Sequence, residues 1–457
     1  MIDFASIRRI RGGNSMTDTE QYVEKFETVE KQTAEPSWLR SLRKAGISRF
    51  AEIGFPTLHD EDWRFTNVSP IAKLPFKPTL ELSANGLNKS ALKNFTFGEL
   101  KASRLVFLNG LFSAELSSLG KFPDGVKVGS LAASLKNDSA LLEKFLARYA
   151  TAADNAFNAL NLAFFQDGAF IYIPANVTLA EPIHLLFIST SKEPGATAHP
   201  RNLIVAEKNS RFTVLESYGC VANAASFTNA VTEIVVADGA NVEHCKFQDE
   251  SDEAFHMAGL HAHLGRSANF ISHSIATGAK LSRNNIRTNL AGEGVECVLN
   301  GLYLTKGDQL ADHHMVVEHA QPHCNSHEYF NGILDGRSKG VFHGRILVRK
   351  IAQKTDAKQT NKNLLLSDNA TVDTKPQLEI YADDVKCTHG ATVGQLNEES
   401  IFYLRARGIG EETARRMLIH AFAGEIIDRV RFQPAREELD KIIWDRLEQN
   451  ERVAVEK

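Results

Sequence analysis

Short runs in which apolar residues alternate with polar ones fill the middle of the chain, from about residue 168 to residue 390. A period of two is typical of β-strands, because successive side chains of a strand point to opposite faces. The clearest runs lie at residues 203–205, 212–215, 234–236, 295–304 and 345–348. No long helical segment separates them, which argues against a doubly wound α/β sheet. The middle of the chain is therefore predicted to be built from β-strands.

Turn residues punctuate these runs at a regular interval. The turns that begin at Lys208, Asp238, Gly265 and Gly292 are about 27 to 30 residues apart, a spacing typical of solenoids. The Asn-Gly pairs that would mark tight hairpins occur at only two places among the runs, although an antiparallel sandwich would need many. A β-helix is therefore favoured, with an irregular sandwich as the alternative.

Two further features of a solenoid concern its interior and its end. Polar residues can stack in ladders inside the coils, and the Asn, Gln and Thr residues of the run 359–363 (QTNKN) predict such a ladder, followed by an apolar rung at residues 364–366. The last coil of a solenoid exposes unpaired backbone groups, so another element has to cap it or dock on it.

Helical periodicity is predicted on both sides of the β region. Tyr22, Phe26 and Val29 recur at intervals of three and four near the start, and the sequence after Gln395 has the same character to its end. The residues before Met16 indicate an extension or an upstream start codon. The predicted organisation is a flexible extension (1–15), an N-terminal helical domain (16–100), a β-helix core (101–395, with a helical insertion near 139–165) and a C-terminal helical domain (396–457).

Composition and charge exclude several classes of function. The chain has 52 Lys and Arg against 56 Asp and Glu, a net charge of −4, and no basic stripe interleaved with aromatic residues, so nucleic acid is not an expected partner. No apolar run is long enough to predict a membrane span, and the start does not resemble a signal peptide. The five scattered cysteines form no Cys-x-x-Cys pair and predict no disulfide framework. We expect a cytoplasmic protein.

Common catalytic motifs are absent from the sequence. There is no phosphate-binding Gly-x-x-x-x-Gly-Lys-Ser/Thr loop, no Gly-x-Ser-x-Gly elbow and no Gly-x-Gly-x-x-Gly after a strand. Hydrolysis of ATP by this chain is therefore not expected. A β-helix that cleaves polysaccharides would need clustered acids and exposed aromatic residues, and only three Trp are present. We predict that the chain is not an enzyme.

Cys387 and His389 lie two residues apart, just before the sequence changes from strand-like to helical. Residues i and i+2 of a strand share a face, so a thiol and an imidazole would be presented together, a pair that suits a soft metal or a sulfur species. The structural alternative is that Cys387 is a small buried apolar residue and His389 a satisfied turn residue.

Six potential metal ligands also cluster within fifteen residues. Their spacing matches no helical or finger-type zinc pattern, and alternate residues of a strand face opposite ways, so we expect that they do not all converge. They are His313, His314, His319, His323, Cys324 and His327. Upstream, residues 61–66 mix charged and aromatic residues without periodicity, which indicates an aromatic anchor that fixes a loop to the domain behind it.

Residues 352–426 carry a resemblance to a known family. This run includes the segment ADDVKCTHGAT at 382–392 and the helical segment IFYLRARG at 401–408, and it resembles the SufB/SufD family of iron–sulfur cluster assembly scaffold proteins, closest to the SufD component. A looser resemblance extends over residues 16–430. It implies a right-handed parallel β-helix core between two helical domains. It also implies a complex with a SufB-like paralogue and a SufC-like ABC-type ATPase.

The resemblance also implies roles for particular residues. Cys387 and His389 fall at the interface with the paralogue, where a transient iron–sulfur cluster or iron would be held. The helical segment after them matches the region that docks the ATPase, with apolar anchors and an arginine rim. The docking residues are Ile401, Phe402, Tyr403, Leu404, Arg405, Arg407 and Gly408.

These observations predict a scaffold subunit that helps acquire iron and build a nascent cluster at the subunit interface. ATP would bind only to the partner ATPase, and an isolated chain could form a homodimer. The alternative is a purely structural adaptor in the same complex, with all ligands on the paralogue. A flavin has no fingerprint in this sequence.

Overall fold

The computed structural model describes residues 19–32 and 35–455, with side chains described at 19–30 and 35–448. The predicted extension at residues 1–15 lies outside the described residues. Strands make up 38% of the chain and helices 25%. None of the helices in the described part is both long and apolar enough to cross a membrane.

The strands of the described residues lie in two large sheets. They are β1 (Lys77–Pro78), β2 (Ser103–Leu108), β3 (Leu111–Phe112), β4 (Lys127–Ser130), β5 (Ala169–Ile173), β6 (Ile183–Ser189), β7 (Ala196–Ala198), β8 (Arg201–Ala206), β9 (Arg211–Cys220), β10 (Phe227–Val236), β11 (Asn241–Asp249), β12 (Phe255–Leu264), β13 (Asn269–Ala276), β14 (Leu281–Leu290), β15 (Glu296–Thr305), β16 (Leu310–His319), β17 (Asn325–Leu334), β18 (Lys339–Val348), β19 (Asp356–Leu365), β20 (Thr371–Ile380) and β21 (Lys386–Gly394).

From β8 onward, consecutive strands alternate between the two sheets. One sheet runs β20-β18-β16-β14-β12-β10-β8-β5-β4 and the other β21-β19-β17-β15-β13-β11-β9-β6-β2-β3, with parallel pairing between neighbouring coils. This topology is a two-sheet parallel β-solenoid of about eight turns. The predicted β-helix is confirmed, and the alternative of an irregular sandwich is wrong, because from β8 onward each strand pairs with the strand two positions further along the chain.

The predicted turns are the corners of successive coils. Each has one residue in the left-handed region, and the turns hydrogen-bond to one another from coil to coil, as from Asn209 N–H to the Asp238 carbonyl. These residues are Asn209, Gly239, Ser267 and Gly294. Close approach of the corners also restricts Gly292, where a Cβ atom would lie 2.0 Å from the Arg266 backbone nitrogen. The regular spacing in the sequence therefore reflects one turn per coil.

The interior between the sheets is apolar near the start and more polar toward the end. Phe187 stacks on Phe107 and Tyr218, with ring centroids 4.7 and 4.8 Å apart. Further along, Asn363 Nδ2 donates a hydrogen bond to Asn361 Oδ1 at 2.7 Å inside the coils. The predicted polar ladder is found in part: Gln359 Nε2 donates to Glu328 of the neighbouring coil, whereas Asn361 and Asn363 pair in register with Phe330 and Gly332.

Helices cover the outer faces of both sheets. They are α1 (Glu20–Gln32), α2 (Ser37–Ile53), α3 (Ser69–Ala72), α4 (Leu131–Asn137), α5 (Ser139–Phe145), α6 (Ala156–Phe164), α7 (Glu398–Arg405), α8 (Glu411–Ile427) and α9 (Gln433–Val455), with 3-10 turns at Glu61–Trp63 and Lys89–Asn94. Helices α1, α2 and α6 form an apolar cluster with β10, β12 and β14 of the first sheet. Helices α8 and α9 pack on the second sheet.

The segment at residues 61–66 is fixed to the first sheet, as predicted. Trp63 is buried and packs against Phe157 of α6, and the Arg283 guanidinium lies 3.7 Å from its ring centroid. Thr66 Oγ1 donates to Asp312 Oδ2, which also accepts from Arg283. An aromatic anchor therefore joins this loop to the solenoid.

Candidate functional site at the open end of the solenoid

The two sheets end differently at the two ends of the solenoid. The antiparallel strands β3 and β4 close the first end, whereas β20 and β21 are the last strands of their sheets at the other end. Each of these two therefore has one edge without a neighbouring strand among the described residues. Apolar side chains are exposed there, with 61% of Tyr381 and 50% of Val393 accessible. Such an edge is a template for a further strand.

Cys387 and His389 lie on β21, the last rung. They pair in register with Ala357 and Gln359 of β19. Since Ala357 and Gln359 are buried between the sheets, their partners on β21 continue the column of inward-facing side chains. Cys387 is half-buried and His389 is exposed, because no further coil in the described part of the chain covers them. The structure therefore brings the two predicted residues together on one face of the open end.

The Cys387 thiol is held in its neutral form by its surroundings. Burial raises its pKa, and the nearby Asp356 carboxylate raises it further. A neutral thiol is a poor metal ligand and a poor nucleophile. Release of its proton therefore requires a metal ion or a positive charge that is brought close to this rung.

A buried acid, Glu328, lies beneath the same column, and sequence reasoning missed it. Gln359 Nε2 donates a hydrogen bond to Glu328 Oε2 at 2.8 Å, and His389 pairs in register with Gln359 on the next rung. Burial raises the pKa of Glu328 to about 7, against the opposing hydrogen bonds from Gln359 and Ser326. A group that can exchange a proton near neutral pH therefore lies two rungs below His389. A single glutamate within a strand gives no sequence signal of this.

Cys387 and His389 do not form a complete metal site with the other described residues. In the described part of the chain, one group of three His, Cys, Asp or Glu side chains has ligand atoms close enough for an ion, and it lies elsewhere. Structural and catalytic metal sites commonly need three or four protein ligands. Any ion held by Cys387 and His389 would therefore need ligands from outside the described residues.

The predicted docking residues divide into a buried set and an exposed set. Asn397 caps α7 by accepting a hydrogen bond from the Ser400 backbone N–H. Ile401 is only 3% exposed and packs inside the chain, so it anchors the helix and cannot contact a partner. Phe402 and Tyr403 are 73% and 56% exposed. They form an apolar pair on the surface of α7.

The remaining predicted docking residues surround this pair. Arg407 stacks 3.4 Å from the Tyr403 ring centroid, and Arg405 pairs with Glu411 at 2.9 Å. Leu404 is half-buried, and Gly408, with φ of 86°, follows the end of α7. An exposed aromatic pair bordered by arginines is the composition expected of a protein interface.

The histidine-rich segment does not converge, as predicted. His313 is buried inside the solenoid between Tyr303 and Phe330, while His314 faces the outer side of the same strand. His319 bonds Ser326 at an inner corner, and His327 lies on the other sheet. No single ion could bind this set.

Comparisons with known proteins agree with this architecture. The family model of the SufBD core domain for SUF system iron–sulfur cluster assembly matches residues 187–422, and the model of the SufBD N-terminal region matches residues 16–185. The chain is 35% identical to an iron–sulfur cluster assembly SufBD family protein of Synechocystis, over 87% of this chain and 88% of that protein. It is 32% identical to iron–sulfur cluster assembly protein SufD of Escherichia coli, over 88% and 91%. SufD of Bacillus subtilis is 24% identical over 94% and 98%.

Proposed function

Since this chain belongs to the SufBD family of iron–sulfur cluster assembly proteins, we propose that it is a non-catalytic scaffold subunit of a Suf complex. It pairs with a SufB-like paralogue through the open end of its solenoid and binds a SufC-like ATPase through α7. The observation that carries the proposal is the uncapped last rung, with Cys387 and His389 on its inward face.

Pairing at the open end follows from the backbone geometry. A parallel strand adds at about 4.8 Å from the last one and satisfies its unpaired N–H and C=O groups. A paralogue with the same coil repeat presents a matching edge, and the exposed Tyr381 and Val393 supply apolar area for the interface. Docking of the paralogue on the open end would also cover His389 and exclude water from Cys387 and His389.

The chemistry at this interface follows from the incomplete ligand set. Cys387 and His389 supply one sulfur and one nitrogen donor, a combination that suits iron and sulfide as cargo. The paralogue supplies the remaining ligands. Because burial raises the pKa of Cys387, binding of iron would release a proton, and Glu328 is a nearby group that can accept one near neutral pH.

The ATPase controls access to the cargo in this proposal. ATP binding by the partner moves α7, whose exposed Phe402 and Tyr403 make the contact. Helix α7 follows β21 directly in the sequence. A displacement of α7 can therefore change the spacing of the last rung against the paralogue, and with it the exposure of the cargo.

The test is the anaerobic iron and acid-labile sulfide content of the complex co-purified with the paralogue and the ATPase. We expect His389→Ala or Cys387→Ala to empty the site while the complex stays assembled. Thr388→Ala is the matched control, because Thr388 lies on the same strand with its side chain on the opposite face. If both variants retain iron and sulfide, the ligand role is refuted and the chain is a structural adaptor.

A further inference from the structure

A second group of potential ligands lies on the outer face of the first sheet, away from β21. His314 of β16 and His343 of β18 are paired in register, with ring centroids 4.3 Å apart, and both are buried. Asp62 approaches them from the 3-10 turn at Glu61–Trp63. One ligand atom from each of the three residues lies within 4.8 Å of the other two.

The contact between Asp62 and His314 is too long for a hydrogen bond. Asp62 Oδ1 lies 3.8 Å from His314 Nε2. Bonds of 2.0–2.1 Å to a tetrahedral ion place neighbouring ligand atoms about 3.3 Å apart. The Asp62 side chain is 64% exposed, so its rotation can shorten the distance from its carboxylate to the histidine nitrogens. The geometry therefore corresponds to ligands around a common ion.

The buried His314 ring also lacks other partners. Its Nδ1 is buried and has no hydrogen-bond partner among the described residues. The nitrogen that faces Asp62 is Nε2, so an ion would bind at Nε2 with the ring proton on Nδ1.

Asp62 is held in place by its neighbours on both sides. Glu61 pairs with Lys375 at 2.8 Å, and Trp63 is buried against the solenoid. A ligand between two fixed residues loses little conformational freedom when it binds an ion. A cavity of about 50 Å³, lined by Asp62 and His314 among others, leaves room for water on a remaining coordination position.

The cations around the group are paired with acids of their own. Arg283 contacts Asp312 at 2.6 Å, and Arg287 contacts Asp154 at 3.0 Å. Lys375 pairs with Glu61, and Arg345 pairs more loosely with Glu379 at 3.6 Å. Their charges are therefore largely compensated, so they oppose a bound cation less than their number suggests.

We propose that Asp62, His314 and His343 bind one divalent transition-metal ion of the zinc type, with water completing its coordination. Two imidazoles and one carboxylate with an open position are a common donor set for zinc and for non-haem iron. Because Asp62 lies on a different element from the two histidines, the ion cross-links the loop at residues 61–66 to the solenoid. This role is separate from the cargo at Cys387 and His389.

The first test uses the full chain, stripped of metal with a chelator and titrated with Zn²⁺ by calorimetry and with Co²⁺ by visible absorption. The parent is expected to bind one ion per chain. Asp62→Asn and His343→Gln should each weaken binding at least 100-fold and remove the Co²⁺ bands. Two matched controls should bind as the parent does. Asp60→Asn changes an acid two residues from Asp62 in the same loop, and His263→Gln changes a histidine of β12 on the same outer face of the sheet as His314.

A further variant separates this site from the open end. His389→Ala should leave Zn²⁺ binding unchanged, and the metal-free melting temperatures of Asp62→Asn and the parent should agree, since Asp62 is exposed. The proposal is overturned if the parent binds no Zn²⁺ at micromolar concentration. It is equally overturned if the ion survives both ligand substitutions or is lost with His389→Ala instead.

Discussion

Replacement of Glu328 by Gln should stabilise the chain above neutral pH, because it removes a buried acid that has to lose its proton there. Glu328 is fully buried, and burial raises its pKa from 4.5 to about 7. The folded chain therefore holds this proton over a pH range in which the unfolded chain has released it. The associated stability is fully present below about pH 4.5 and is lost as the pH rises through 7.

The difference between the pKa of Glu328 in the unfolded chain, 4.5, and in the folded chain, about 7, corresponds to about 3 kcal/mol of unfolding free energy. Gln resembles the protonated acid in shape and can still accept the hydrogen bond from Gln359 Nε2. The variant should therefore keep at pH 8 the stability that the parent has lost. If the chain unfolds as one unit, an unfolding entropy of about 2.1 cal/mol/K per residue converts this difference to about 3 °C in Tm.

The assay is the difference in Tm between Glu328→Gln and the parent, measured at intervals from pH 5 to pH 8. We expect the difference to grow with pH in favour of the variant and to level off above pH 7. Glu115→Gln, which changes an exposed acid, is the control and should give a constant difference. A flat curve for Glu328→Gln, or one that grows toward acid, would show that Glu328 does not titrate near neutral pH.

Two predictions concern the proposed contact surfaces. Phe402→Ala combined with Tyr403→Ala should abolish co-purification of the ATPase without a change in Tm. Ile401→Ala should instead cost about 2–5 kcal/mol of stability, because Ile401 is buried. The reverse pattern would refute the assignment of Phe402 and Tyr403 as the ATPase contact. Val393→Lys should prevent pairing with the paralogue, measured by size-exclusion chromatography with light scattering, because a charge at the open edge opposes strand addition. A complex of unchanged mass would argue that β21 is not the interface.

The sequence predicted features that repeat locally. Each coil has one left-handed corner residue, such as Asn209 or Gly239, so the turn spacing was visible without knowledge of the partners. Strand alternation also predicted that His313 and His314 face opposite sides. The aromatic anchor was recognised because Trp63 lies in a charged segment without periodicity.

Features that depend on register between coils could not be predicted. His314 and His343 become neighbours only when β16 and β18 pair with a particular offset, which the apolar pattern does not fix. The raised pKa of Glu328 arises from burial by other strands. In the same way, the pattern of α7 alone did not show that Ile401 turns inward while Phe402 turns outward.

Glu328, Gln359 and His389 occupy the same position on successive rungs of the second sheet. This column explains why metal binding is expected at the open end of the solenoid and not within its coils. Within the coils, each inward polar group is covered by the next rung, as Glu328 is by Gln359. Among the residues that the structure describes, His389 is the first member of this column with no further rung to cover it. A partner with the same repeat would place a side chain about 4.8 Å beyond it. An apolar side chain of the partner at that position would pack on His389 as an ordinary rung. A metal-binding side chain there would instead complete a site for the cargo.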